Sequence, residues 1–317
     1  MIIDKYISNI IRQQPASNNM PALKWPTANT QKPPGVAVEG GNSTLELPLL
    51  SPYGAKSRWI DVYSTSNTSA AFSITTDKWV VASSSTGTIK APGDTADQRV
   101  SFSINWGSAP SGKSNSKIKV TAGATVVTVS LPLDNSQVAP GFSGFVESDR
   151  AISIEPEHYT SATSSSTASY GIIPNYGRTL SGVTLFPVTI GTQTPPSSPK
   201  LTYNIFTFTS TTASITVHLA PTLNYDSDPL TYYISVDDAA PTKAQYVPVT
   251  QLGTLPNTWT DSTRNAGCQY TTKHTIKSGA HVLNLWAGGP GVVFQKIVVD
   301  LGGVRKSYLG PPESSRV

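Results

Sequence analysis

Apolar residues in this chain recur mainly at every second position, in short runs broken by Gly, Pro, Ser and Thr. Val100-Ser-Phe-Ser-Ile-Asn105, Lys117-Ile-Lys-Val120 and Thr125-Val-Val-Thr-Val-Ser-Leu131 show the alternation most plainly. A period of two belongs to a strand with one face on a core and the other in water. With further runs at 59–63, 71–74 and 79–82, the spacing predicts an immunoglobulin-like β-sandwich over 58–139. Phe102, Ile104, Ile118, Val120, Val127 and Val129 fall on its inward faces, with Trp79 and Trp106 in the core or at its rim. Pro140-Gly141 and Gly144 mark chain reversals in a linker. Nine more alternating runs follow, at 152–159, 182–188, 201–208, 213–220, 230–236, 245–249, 270–276, 280–286 and 292–299. They predict a second, jelly-roll sandwich over 140–317. The fold class expected is therefore all-β: two consecutive antiparallel β-sandwiches. The Ser/Thr tract 161–169 reads as a polar loop.

The first residues follow a different period. Ile3, Tyr6, Ile7, Ile10 and Ile11 form a helical stripe that Pro15 ends. A helix of about three turns is too short to stand alone, so 1–15 reads as the tail of an upstream domain. The proline- and glycine-rich stretch 16–57 reads as a connector, in which 36–39 and 45–47 could each lie extended across a neighbour.

Within the second set of runs, Ile152-Ser-Ile-Glu-Pro-Glu-His-Tyr159 carries two acids two residues apart. An extended backbone would put Glu155 and Glu157 on one side, where like charges repel unless a positive partner lies between them. Pro156 lacks an N–H and places the segment at a sheet edge or strand end. The alternative is two solvated glutamates.

Composition narrows the function. Charged residues are 13% of 317, and 23 Lys+Arg against 19 Asp+Glu leave a net +4 with no basic block, so the pI near 9.0 gives no footing for nucleic acid. No apolar run reaches membrane-spanning length. The single cysteine, Cys268, excludes an internal disulfide and multi-cysteine zinc patterns. His158, His218, His274 and His281 include no pair at helical metal spacing. Glycoside hydrolysis usually needs two carboxyl groups either side of the scissile bond. Adjacent Asp237 and Asp238 read as turn formers, and Glu155 and Glu157 are too close to flank a sugar. Ser181 lacks a nucleophile-elbow pattern, and Gly288-Gly-Pro-Gly291 reads as a turn. Sugar binding by a sandwich needs exposed aromatic faces and a polar group to fix orientation. Tyr176 with Arg178, and Trp259 with Arg264, are the loop candidates, since a guanidinium can grip a uronate carboxylate with two bonds.

Several ordered motifs then point to a family. The 152–160 run, Gly177-Arg-Thr-Leu-Ser-Gly-Val183, Ala220-Pro-Thr-Leu-Asn224, Ile234-Ser-Val-Asp-Asp238, Pro290-Gly-Val-Val-Phe-Gln-Lys-Ile-Val-Val-Asp300 and Tyr308-Leu-Gly-Pro-Pro-Glu-Ser314 resemble the C-terminal domain of glycoside hydrolase family 115, the xylan α-1,2-glucuronidases. Leu50-Ser-Pro-Tyr-Gly54 and 79–88 extend the resemblance upstream. It implies that catalytic domains N-terminal to these residues are missing, and that the chain is secreted to the extracellular space. It also implies that the sandwiches support the catalytic part, help form a homodimer and contact glucuronoxylan or a related plant polysaccharide. A free-standing carbohydrate-binding or adhesive protein built from the same modules is the rival. The last domain is also similar to carbohydrate-binding module families 6 and 35. That resemblance implies a structural calcium held by Glu155, Glu157 and Asp300, completed by carbonyls and water.

Overall fold

The computed structural model describes residues 34–41, 44–65, 69–90, 97–224, 229–251 and 253–317. The helix expected at 1–15 and the start of the expected connector lie outside them.

Eight strands form the first sandwich: β1 (Gly35–Val38), β2 (Arg58–Tyr63), β3 (Ala70–Thr75), β4 (Val80–Ala82), β5 (Thr86–Ile89), β6 (Gln98–Ile104), β7 (Gly112–Ala122) and β8 (Thr125–Asn135). They pair antiparallel in two sheets, ordered β1-β2-β6-β4 and β5-β3-β7-β8. Alternation decides which side chains meet between the sheets: Ile60, Val62, Val100, Phe102, Ile118, Val129 and Leu131 are almost fully buried. Val127, expected inward, is only half-buried near the β7–β8 turn, and Ile104 packs partly against the core. Gly123 supplies the positive φ that this two-residue hairpin needs. Part of the expected connector belongs to this sandwich. β1 is an edge strand, and Leu47 and Leu50 are buried beside β8 through bridges at Glu46–Ser130 and Leu50–Leu133. Pro48 and Pro52 remove ladder donors, so the segment pairs at isolated points and shows no strand pattern.

The second sandwich contains β9 (Phe145–Val146), β10 (Ala151–Ile154), β11 (Ser161–Thr163), β12 (Ser169–Ile173), β13 (Gly182–Phe186), β14 (Lys200–Thr207), β15 (Thr211–Leu219), β16 (Thr231–Val236), β17 (Thr242–Gln245), β18 (Cys268–Ile276), β19 (Gly279–Ala287) and β20 (Phe294–Asp300), with helix α1 (Trp259–Arg264) before β18. One sheet runs β12-β13-β20-β15-β18 with β10 on β20; the other runs β11-β14-β19-β16-β17 with β9 parallel to β14. Ile152, Ile154, Leu185, Tyr203, Ile215, Val217, Tyr232, Leu283, Phe294 and Val299 fill the space between them. The Ser/Thr tract expected as a loop contains β11 and the start of β12. All three β11 side chains are exposed, so pairing with β14 leaves no apolar alternation to read.

After β20 the chain returns as a strap over the junction of the sandwiches. Ser314 N–H donates to the Ser153 carbonyl and its hydroxyl accepts from Ser153 N–H, while Val146 N–H donates to the Ser315 carbonyl. Across the junction Arg58 bonds Glu39 and Leu49 on its own side and Asp149 on the other. Tyr53 stacks on Phe208, which continues through Phe206 to Phe142. Among the described residues no helix is long and apolar enough to cross a membrane.

Candidate functional site

β10 ends at Ile154, and the chain then turns instead of staying extended. His158 N–H donates back to the Glu155 carbonyl over 3.0 Å, with Pro156 at the second turn position its fixed φ favours. Glu155 and Glu157 consequently part company. Glu155 is buried, 5% exposed, and its Oε1 accepts from the Lys296 ammonium at 3.2 Å and from the Thr179 hydroxyl. Glu157 lies near the surface, 3.9 Å from His158 Nε2, while His158 Nδ1 meets Glu313 Oε1 at 2.7 Å. Asp300 is elsewhere again. The β10–β20 register sets Ile154 opposite Ile297 and Ala151 opposite Asp300, so Asp300 lies four residues along β20 from Lys296, roughly 13 Å at strand rise. Its Oδ1 caps the following turn, accepting from Gly302, Gly303 and Val304 N–H. The three carboxylates expected to hold calcium therefore do not form one ligand set. No cluster of three metal-ligating side chains occurs among the described residues.

The two aromatic–arginine pairs converge at one end of the second sandwich. Tyr176 and Arg178 lie in the loop between β12 and β13, and Trp259 and Arg264 lie on α1. Arg178 joins them: Nη1 donates to the carbonyl of Asn265, just past α1, while Nε and Nη2 donate to the Tyr308 carbonyl in the strap. Its guanidinium also lies 4.7 Å from the centre of the Tyr308 ring. Arg178 is thus a cross-brace between three segments, and its donors face backbone carbonyls. Arg264 pairs with Asp261 on the surface of α1. Two aromatic rings also face solvent here: Tyr176 is 47% exposed and Tyr308 59%. Tyr308 enters the sequence reading only as the start of a family motif and not among the sugar candidates, although its Ser-Tyr-Leu-Gly-Pro-Pro setting marks an irregular segment where an apolar core is not expected.

Beneath this surface His218 sits on β15 directly opposite Lys296 on β20. Burial, with the nearby charges of Arg178 and Lys296, pushes its pKa down to about 4, so the imidazole is neutral at neutral pH. Two further acids, Glu147 and Asp237, are tied up structurally. Glu147 accepts from Phe208 N–H, Thr209 N–H and the Thr209 hydroxyl; Asp237, at a positive-φ turn, bonds His281 and Val282 N–H. A cleft of about 690 Å³ opens between the sandwiches, with Lys113, Arg150 and Arg305 among its walls beside Glu147 and Asp149.

Fold and site together define a two-sandwich β protein whose C-terminal strap locks the second sandwich and carries part of an exposed tyrosine surface. The glycosyl hydrolase family 115 C-terminal domain profile matches residues 144–313, more than half of the chain, and the chain belongs to that family. No curated protein matches it. Among solved structures it is similar to a family 115 4-O-methyl-α-glucuronidase with specificity for decorated arabinogalactans, at 15% identity and a TM-score of 0.33, over 44% of this chain and 17% of that one. It is also similar to the C-terminal family 6 carbohydrate-binding module of a laminarinase from Zobellia galactanivorans, at 14% identity and a TM-score of 0.32, over 47% of this chain and 98% of that one. A family 35 carbohydrate-binding module from Clostridium thermocellum gives 17% identity and a TM-score of 0.32, over 47% of this chain and 97% of that one. The chain thus spans only 17% of the length of the glucuronidase.

Proposed function

We propose that this chain is the non-catalytic C-terminal accessory region of a xylan α-1,2-glucuronidase, acting as scaffold and subunit contact, and that its tyrosine surface touches glucuronoxylan. The observation that carries the reading is membership of the family 115 C-terminal domain over 144–313. Its acids support the non-catalytic part, since Glu147, Asp149 and Glu155 are held by backbone N–H groups, Arg58 and Lys296. Tyr176 and Tyr308, held near one another through Arg178, offer apolar ring faces of the kind that stack on a pyranose. Trp259 on α1 stands at the same end and is partly exposed.

Affinity electrophoresis of the full chain in glucuronoxylan and in unsubstituted xylan tests the sugar contact. Retardation in glucuronoxylan that disappears in the Tyr176→Ala/Tyr308→Ala variant is expected; equal mobility of both proteins in both gels overturns it. An assay for 4-O-methylglucuronate release tests the accessory role. Release by the folded chain alone would overturn that role and leave the binding result standing.

A further inference from the structure

Lys296 is 1% exposed, among the most buried side chains of the molecule. A lysine is almost never enclosed to that extent without a partner that compensates its lost hydration. Its Nζ donates to Glu155 Oε1 at 3.2 Å and to Thr179 Oγ1 at 3.0 Å. The Gly310 backbone lies against its stem, where a Cβ would stand 3.7 Å from Cδ and Cε. The ammonium thus ties the end of β10 to β20 and the β12–β13 loop, and the lysine stem lies against the strap. Opposite it on β15 sits His218, which burial keeps neutral at neutral pH. Glu155 Oε2 is buried and accepts no hydrogen bond from the described residues. One carboxylate oxygen, Oε1, is therefore met by the chain's own cation and by the Thr179 hydroxyl.

We propose that the Lys296 ammonium is the built-in cation of this sandwich, standing in for the calcium that Glu155 would otherwise help to bind, so that the β10–β20 seam closes without a metal. The inference concerns stability and does not rest on the sugar-contact reading.

Thermal unfolding of the full chain, in calcium and in chelator, tests it with two variants. The native chain is expected to melt at one temperature in both buffers. Lys296→Met keeps the apolar stem but strands the Glu155 charge, and should melt about 10 °C lower. Adding Glu155→Gln to it should recover most of that loss. A native melt that drops in chelator overturns the proposal, as does a Lys296→Met melt equal to the native one. Should Lys296→Met fail to fold, the native pair of melts and the double variant decide by the same criteria.

Discussion

Arg58→Met should loosen the joint between the sandwiches. The Arg58 side chain is 7% exposed; its Nη1 meets Glu39 Oε1 at 3.0 Å, and its Nη2 meets the Leu49 carbonyl and both Asp149 oxygens at 2.8 Å. Methionine keeps the stem and removes every one of these bonds. Truncating one partner of a buried charge pair costs about 3–5 kcal/mol when the other charge stays dry. Here the two acids differ. The Asp149 side chain is 44% exposed and can rehydrate, so its share falls toward the ~0–1 kcal/mol of a surface pair. Glu39 is 20% exposed and its Oε2 accepts no hydrogen bond from the described residues, so it and the Leu49 carbonyl bear most of the loss. The expected total is about 3 kcal/mol, a Tm drop of roughly 6–12 °C for chains of this order. Because the bonds to Asp149 cross the junction, differential scanning calorimetry should also show the transition broadening or splitting as the sandwiches uncouple. Asp149→Asn should cost less than about 1 kcal/mol. A Tm for Arg58→Met within about 1 °C of native would refute the assignment of Arg58 as the junction bolt.

Three further outcomes follow from single positions. The pKa of His218 is depressed in the fold, so the unfolded chain binds the extra proton first: its contribution is intact above about pH 6.5 and is lost as pH falls toward about 4, up to roughly 3 kcal/mol, and urea titrations of native and His218→Phe at both limits should differ by that loss. Tyr203→Phe leaves the Pro156 carbonyl without its buried hydroxyl donor at 2.8 Å and should lower stability by about 1–3 kcal/mol in the same titration, with no change in m-value. Gly303→Ala would place a Cβ 1.8 Å from the Asp149 carbonyl oxygen, which cannot yield as a side chain could; soluble expression or Tm should fall clearly, by at least about 1–3 kcal/mol.

Alternation was legible wherever one face of a strand is buried and the other wet, as in β6 and β7, whose inward residues Phe102, Ile118 and Val120 follow the spacing. It failed where burial is not one-sided. β11 is exposed throughout, and Leu47 and Leu50 are buried from a proline-broken segment with no ladder. Among the sugar candidates, residue type pointed to Tyr176, Arg178, Trp259 and Arg264. Only the fold brings the first two beside α1, and it turns Arg178 inward onto the Asn265 and Tyr308 carbonyls. Spacing cannot report which acceptors a guanidinium reaches, because those carbonyls lie 87 and 130 residues away.

The same limit explains the acids around β10. Glu147, Asp149, Glu155 and Glu157 crowd one short stretch, and local spacing correctly demands positive charge there. It cannot say whose. Arg58 arrives from 91 residues upstream and Lys296 from 141 downstream, so Asp149 before the strand and Glu155 after it are each held by a cation the chain itself supplies. A signal for the second was present. Residues 292–299 are apolar apart from Gln295 and Lys296, and a nearly continuous apolar run means a strand covered on both faces. In such a strand a lysine has no wet side to reach, and every residue of β20 before Asp300 is buried. A lysine inside a two-sided strand therefore predicts a buried carboxylate on a neighbouring strand. The acid-rich end of β10, paired antiparallel to β20, is where that carboxylate is found.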